Sequence, residues 1–258
     1  MTKIFCIANQ KGGVGKTTTA INLAAGLSKL QFKVLLVDLD PQANATMGAG
    51  IDKAKLAVSV YQVLLGLEEI SNVLKISEKG NFDVLPSNRN LSGAEVEMVG
   101  MPNREIKLKQ AFSYVTKHYD FILIDCPPTL SILTLNGLCS ADGVIIPMQC
   151  EYYALEGLSD LINTIKIVHK RLNSNLQVLG ILRVMFDSRI MLSQQVSDQL
   201  EKYFGEKVFK TIIPRNVRLA EAPSFGIPGV LFDPNARGAK AYMEFGKELA
   251  ERLKYTEN

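Results

Sequence analysis

The chain is poor in the residues that build metal and redox centres. Among its 258 residues are four cysteines and two histidines. Cys6, Cys126, Cys139 and Cys150 are scattered without C-x-x-C spacing, which argues against a zinc site or a disulfide framework. Cys6 and Cys126 lie in apolar, strand-like surroundings and read as small core hydrophobes in a reducing cytosol. The longest apolar runs are five to seven residues, too short to span a bilayer. The opening "KIFCIAN" reads as a strand that enters a loop directly, leaving no room for a signal peptide. Charge of one sign is also scarce. A net charge of +3 predicts nothing by itself about nucleic acid.

What is present is alternation. Short β-rich apolar runs recur at 4–8 ("IFCIA"), 34–38 ("VLLVD"), 121–125 ("FILID"), 143–147 ("GVIIP") and 178–182 ("VLGIL"). They are continuously apolar, as strands buried on both faces are. Between them, Ala20, Leu23, Ala24, Leu27 and Leu30 recur at helical spacing, as do Leu158, Leu161, Ile162, Ile165 and Val168. Strand alternating with helix predicts an α/β fold, a mostly parallel twisted sheet with helices on both faces. With no repeat, low-complexity tract or linker, residues 1–258 read as a single domain.

Ligands of such sheets bind beyond the carboxyl ends of the strands, and the polar residues cluster there. The first strand runs into "NQKGGVGKTT" (9–18), the second ends at Asp38 followed by Asp40, and the third ends at Asp125. Gly12, Gly13 and Gly15 allow backbone angles that turn successive N–H groups, Val14's included, around phosphate oxygens. Lys16 suits the β- and γ-phosphates, Thr17 a Mg²⁺ ion and Thr18 a phosphate oxygen. Asp125 occupies the position where a carboxylate holds Mg²⁺ directly or through water. Asp38 and Asp40, two apart, share a strand face if the strand persists, one supporting the metal shell and the other placing the attacking water; a capping role for Asp40 stays open.

Lys11 is an oddity. The usual loop pattern has glycine at position 10, where this chain has Gln10, and it adds Lys11 five residues before Lys16. Two unpaired ammonium groups about 4 Å apart repel by roughly 1–4 kcal/mol, and one loop aims only one lysine comfortably at the β/γ edge. The economical reading sends Lys11 to the nucleotide of a second copy, as an arginine finger acts in trans.

"KGGVGKTT" resembles the deviant phosphate loop of the SIMIBI-class P-loop NTPases. The longer blocks "VLLVDLDPQANAT" (34–46), "FILIDCPPTLSILTLN" (121–136), "IPMQCEYYALEGL" (146–158), "IIPRNVRLAEAPSFG" (212–226), "GAEVEMV" (93–99) and "GAKAY" (238–242) resemble the ParA/Soj partition ATPases over essentially the whole chain. The resemblance implies a slow, Mg²⁺-dependent ATPase acting as a nucleotide-sandwich homodimer. Lys11 is then the intermolecular signature lysine, and Gly12 lies where the partner loop approaches. Asp40 places the hydrolytic water, Asp125 is the Walker-B carboxylate, and Pro214, Arg215 and Asn216 flank the adenine. It further implies non-specific DNA binding by the dimer, a stimulating ParB-type partner, and a nucleoid-associated, cytoplasmic location. There are departures: Arg183 where an apolar residue is expected, Val184 where Thr is usual, and Ile227 where Lys is usual.

Direct support for DNA binding is thinner. Seven basic residues between Arg183 and Arg218 face four acidic ones, a small surplus that dimerisation would double into a phosphate-binding footprint. Arg189 and Arg218, both in loop-like segments, are the preferred contacts. "EYYALEGL" (151–158) reads equally as an exposed interface or as the turn into a helix. A MinD-like membrane-positioning ATPase is the main alternative. Tyr242, Phe245, Leu249 and Leu253 form a stripe, but Glu244, Glu248 and Glu251 interrupt any basic face, which favours a helix docked on its own sheet. The "KYTEN" end follows that stripe. A P-loop synthetase would need a second polar pocket, and an iron–sulfur ATPase would need paired cysteines; neither is evident in the sequence.

Overall fold

In the computed structural model, which describes residues 1–255, eight strands join one sheet. They are β1 (Lys3–Ile7), β2 (Val34–Asp38), β3 (Lys75–Ser77), β4 (Phe82–Leu85), β5 (Phe121–Asp125), β6 (Gly143–Met148), β7 (Gln177–Phe186) and β8 (Val208–Pro214). Their order is β3-β4-β2-β5-β1-β6-β7-β8, and only the β3–β4 pairing is antiparallel. The chain winds outward from β1 to β2 and β4, returns through β5, then winds the other way through β6, β7 and β8. That reversal opens a crevice at the strand ends around β1.

Successive residues of one strand point to opposite faces, and both faces are covered. Leu35, Val37, Ile122 and Ile124 pack into one apolar layer, while Val34, Leu36, Phe121 and Leu123 pack into the other. This is why the strand runs are apolar throughout rather than alternating. Helices α1 (Lys16–Lys29) and α2 (Asn44–Gly48) lie on the second face. Helices α3 (Val60–Leu65), α4 (Ile70–Val73), α5 (Leu91–Glu97), α6 (Lys107–Phe112), α7 (Ile132–Ser140), α8 (Ala154–Arg171) and α9 (Met191–Phe204) cover the first. The chain then returns to the second face with α10 (Val217–Glu221), α11 (Gly229–Phe232) and α12 (Arg237–Tyr255).

Helix α12 docks on the sheet as its stripe predicts. Tyr242, Phe245 and Leu249 are fully buried, and each such side chain contributes about 1.5–3 kcal/mol over remaining exposed. Those residues are spent on the core and are not presented to lipid. No helix among the described residues is long and apolar enough to cross a membrane. The polar side of α12 closes the sheet at β8. The Glu248 carboxylate accepts from the Lys210 and Thr211 N–H groups at 2.8 Å, and Arg252 donates to the Glu206 and Val208 carbonyls. An edge strand otherwise offers such groups to any passing chain.

Arg183 is the residue whose placement departs most from the sequence-based expectation. The basic surplus at 183–218 includes it as a surface charge, yet it is 3% exposed on β7. Its guanidinium donates to Ser197 Oγ (2.8 Å), Glu201 and the Phe209 carbonyl (2.9 Å), tying α9 to β7 and β8. Arg183 and Glu201 cancel, so the basic surplus of the region persists without them. All four cysteines are buried, with Cys139 on α7. The "KYTEN" end lies partly outside the described residues.

Candidate functional site

The glycine loop joins β1 to α1 at the crevice. Gly13 and Gly15 both have φ of 74°, the left-handed region that a Cβ disfavours. Gly15 is also the N-cap of α1, and no side chain caps that end. A fourteen-residue helix therefore points its positive end into the loop with its terminal N–H groups uncapped by any side chain. Val14 is buried and anchors the loop. Lys16 is 7% exposed, and its Nζ donates to the Lys11 carbonyl at 3.0 Å, folding back across the loop. Burial pulls its ammonium below the usual lysine range, against the attraction of Asp125 and Asp40.

Two carboxylates meet behind the loop. In the sheet register Asp125 lies opposite Ile7 on one side and Asp38 on the other. Both aspartates are essentially inaccessible, but they differ in company. Asp38 Oδ2 accepts from the Thr46 N–H and Oγ1, each at 2.7 Å, and Oδ1 accepts from the Asp40 N–H at 3.1 Å. Burial pushes its carboxyl up to about 6, the Thr46 and Asp40 bonds opposing. Asp125 has neither oxygen at hydrogen-bond geometry with any donor. Burial raises its carboxyl well above the ordinary range, the Asp38 charge adds to the rise, and nearby Thr17 and Lys16 oppose it. A buried carboxylate without a partner calls for a cation, so the donor set fits a divalent ion at Asp125 and Thr17. Asp38 has both oxygens committed to the protein.

Above these groups lies a cavity of about 420 Å³, lined by Gly12, Gly13, Gly15, Lys16, Thr17, Thr18 and Asp40 at one end. Val184, Met185, Ile213, Pro214, Asn216 and Tyr242 line the other. Asp40 is half-buried. Its Oδ1 accepts from the Gln42 N–H at 2.9 Å, so it fastens its turn and faces the cavity at once. Pro214 and Asn216 reach the cavity, whereas Arg215 does not line it and is exposed. Asn216 also caps α10, its Oδ1 accepting from the Leu219 N–H. No sequence motif points to Met185, which lines the apolar end with φ of 50°, a left-handed conformation unusual for a side chain of its size.

Lys11 stands apart from its neighbour Lys16. It is half-exposed, and its Nζ meets Glu151 Oε2 at 2.5 Å. Next to Glu151, Tyr152 and Tyr153 stack edge to face and are 72% and 73% exposed. Arg189 forks onto Asp187 at 2.9 and 2.7 Å, holding that carboxyl down at about 2. Arg218 lies on the short helix α10 rather than in a loop, paired with Glu221 at 2.9 Å and Asp233 at 3.5 Å. His118 and His169 are exposed and distant in sequence from every loop residue of the site.

Comparison with known proteins places this geometry. A family model described as an AAA domain matches residues 2–178. The chain is 52% identical to the sporulation initiation inhibitor protein Soj of Bacillus subtilis, over 97% of this chain and 99% of that one. It is 50% identical to the chromosome partitioning protein ParA of Myxococcus xanthus, over 97% and 88%. The chain belongs to the Soj/ParA family of partitioning ATPases. Among solved structures, cobyrinic acid a,c-diamide synthase from Mycobacterium smegmatis, with bound ADP and magnesium, superposes with a TM-score of 0.87 at 38% identity, covering 98% of this chain and 96% of that one. The blocks at 34–46, 121–136 and 212–226 carry the two aspartate strand ends and, in Ile213, Pro214 and Asn216, part of the far end of the cavity.

Proposed function

We propose that this chain is a Mg²⁺-dependent ATP hydrolase whose ATP-bound form pairs with a second copy and then holds duplex DNA without sequence preference. The observation that carries the reading is Asp125, buried and unpaired beside the positive end of α1. With ATP in the cavity, the loop N–H groups from Gly12 to Thr18 and the Lys16 ammonium would face the phosphates. Val184, Met185, Ile213, Pro214 and Asn216 would enclose the adenine, without Arg215. Thr17 and Asp125 would hold Mg²⁺, which supplies charge neutralisation on the phosphates. Asp38 serves the turn that carries Asp40. Asp40 orients water for in-line attack on the γ-phosphate, and catalysis is by positioning and electrostatics.

Lys11 supports pairing. It is the exposed lysine of the loop, and a Cβ at Gly12 would meet nothing within 4 Å in its own chain. The chain itself leaves that position open, so a partner loop could approach closely there. In the pair, Lys11 would leave Glu151 and stabilise transition-state charge on the partner's nucleotide. Arg189 and Arg218 contribute to a DNA footprint doubled by pairing, each first giving up an acidic neighbour. Hydrolysis is slow alone and is stimulated by a ParB-type partner, which ends DNA binding; the nucleoid is the place of work.

A synthetase reading is favoured by the name of the M. smegmatis protein, but the Soj relative is 52% identical against 38% for that one. The experiment is retention of the purified protein on non-specific duplex DNA with ATP, with ADP and without nucleotide, alongside Asp40→Ala. ATP-only retention that persists longer in Asp40→Ala is the expected result. Equal retention in all three states overturns the switch.

A further inference from the structure

Asp40 has to be held still to orient a water, and β2 ends two residues before it. What holds it is a closed ring of hydrogen bonds drawn from three separate segments. The Asp40 N–H donates to Asp38 Oδ1. The Asp40 carbonyl accepts from Ser87 Oγ at 2.8 Å. The Ser87 N–H donates to Thr46 Oγ1 at 2.9 Å. Thr46 closes the ring by donating both its N–H and its hydroxyl to Asp38 Oδ2. Asp38, Thr46 and Ser87 are each 0% exposed, so the bonds among them are shielded from water, while the two to the half-buried Asp40 are partly shielded.

The pieces are locally well determined. Thr46 lies in α2, which begins after Ala43 in the left-handed conformation, and the Ala43 N–H returns to the Asp40 carbonyl at 2.9 Å. Ser87 follows β4 by two residues, just before Asn88, whose Oδ1 accepts from Ser59 Oγ and from the Asn90 N–H. Both backbone groups of Asp40 are thus fixed, the N–H by a strand-end carboxylate and the carbonyl by the Ala43 N–H together with a serine that follows a different strand. Its carboxylate is left to the turn and the cavity.

We infer that Thr46 and Ser87 are positioning residues for hydrolysis, fixing the Asp40 backbone so that its carboxylate is aimed at the attacking water. The inference rests on the reading that Asp40 orients that water. Neither residue lines the cavity, so they act on the rate and not on nucleotide affinity. Displacements of about 1 Å at such a group cost up to about a hundredfold in rate.

The test is single-turnover hydrolysis of radiolabelled ATP by the full chain, with Kd for a fluorescent ATP analogue and the melting temperature measured beside it. Ser87→Ala removes the donor to Asp40 but keeps the Ser87 N–H; Thr46→Val removes the hydroxyl, and Thr46→Ser keeps it. The expected result is a rate loss of about tenfold or more in Ser87→Ala and Thr46→Val, with Kd within about twofold of the unsubstituted protein and recovery in Thr46→Ser. The double variant Asp40→Ala/Ser87→Ala should be no slower than Asp40→Ala. An unchanged rate in Ser87→Ala while Asp40→Ala is inactive overturns the positioning role alone. A Kd that rises as far as the rate falls, or Thr46→Ser as slow as Thr46→Val, also overturns it. Full hydrolysis by Asp40→Ala would overturn the water-orienting reading beneath it.

Discussion

Neutralising Glu151 should strengthen ATP-dependent pairing. In the single chain Lys11 is bonded to Glu151 at 2.5 Å, with the two side chains 49% and 51% exposed. If Lys11 must reach the partner's nucleotide, that pair has to open, once in each protomer. Half-exposed ion pairs contribute about 0.2–1 kcal/mol each, so two of them oppose pairing by about 0.4–2 kcal/mol. Glu151→Gln keeps the shape and removes the charge, and should therefore tighten the dimer by about 2- to 30-fold. The background should be Asp40→Ala, so that hydrolysis does not drain the ATP state. Sedimentation velocity over a concentration series with ATP reads the dimer Kd directly. The gain should shrink with added salt, since both groups face water. An unchanged or weaker dimer at low salt would refute the reasoning, because Glu151 would then hold Lys11 in its working position.

Arg183→Ala should lower unfolding free energy in urea by about 2–4 kcal/mol, since it leaves a cavity and strands the Phe209 carbonyl; DNA retention per folded molecule should not change, and a loss there would return Arg183 to the surface footprint. Burial works against ionisation of Glu248, but the Thr211, Lys210 and Arg252 donors outweigh it and hold its carboxyl below the usual range. A depressed carboxyl contributes stability that is present above its unfolded pKa and lost as pH falls through the folded value. Glu248→Gln should therefore cost about 1–2 kcal/mol at pH 7, with the gap to the unsubstituted protein closing in acid below about pH 4; a gap that stays constant in urea titrations down to pH 3 would contradict this. Arg189→Ala and Arg218→Ala should each remove two phosphate contacts per dimer, flattening the slope of log affinity against log salt by about 1.8; an unchanged slope would remove that arginine from the interface.

Much of the site was readable because its residues sit next to strong local signals. Asp38 and Asp125 each terminate an unbroken apolar run, and Lys16 follows glycines that only a special loop needs. Strands without such runs were missed. β3 is three residues long, Asp83 interrupts β4, and Lys210 and Thr211 interrupt β8. The small helices α3 to α6, four to seven residues each, are too short to show a period. Arg183 defeated the reading because a buried charge is defined by its partners, and Ser197, Glu201 and Phe209 are remote in sequence. The same holds for Ser87, forty-seven residues from the aspartate it touches. Composition could not reveal that Arg189 and Arg218 carry acidic companions: Asp187 is brought onto Arg189 by a turn, Glu221 onto Arg218 by the short helix α10, and Asp233 lies fifteen residues from Arg218.

The edge of β8, closed by Glu248 and Arg252, bears on how such a molecule behaves when crowded along a polymer. Many copies gathered on one DNA segment would meet at high local concentration, and a bare strand edge would let them stack irreversibly. With the Lys210 and Thr211 N–H groups and the Val208 carbonyl occupied by its own last helix, this side of the sheet gives a neighbour less to zip onto. If pairing runs through the nucleotide-bearing rim, as proposed, a crowd of these molecules would disperse from this side once its ATP is spent.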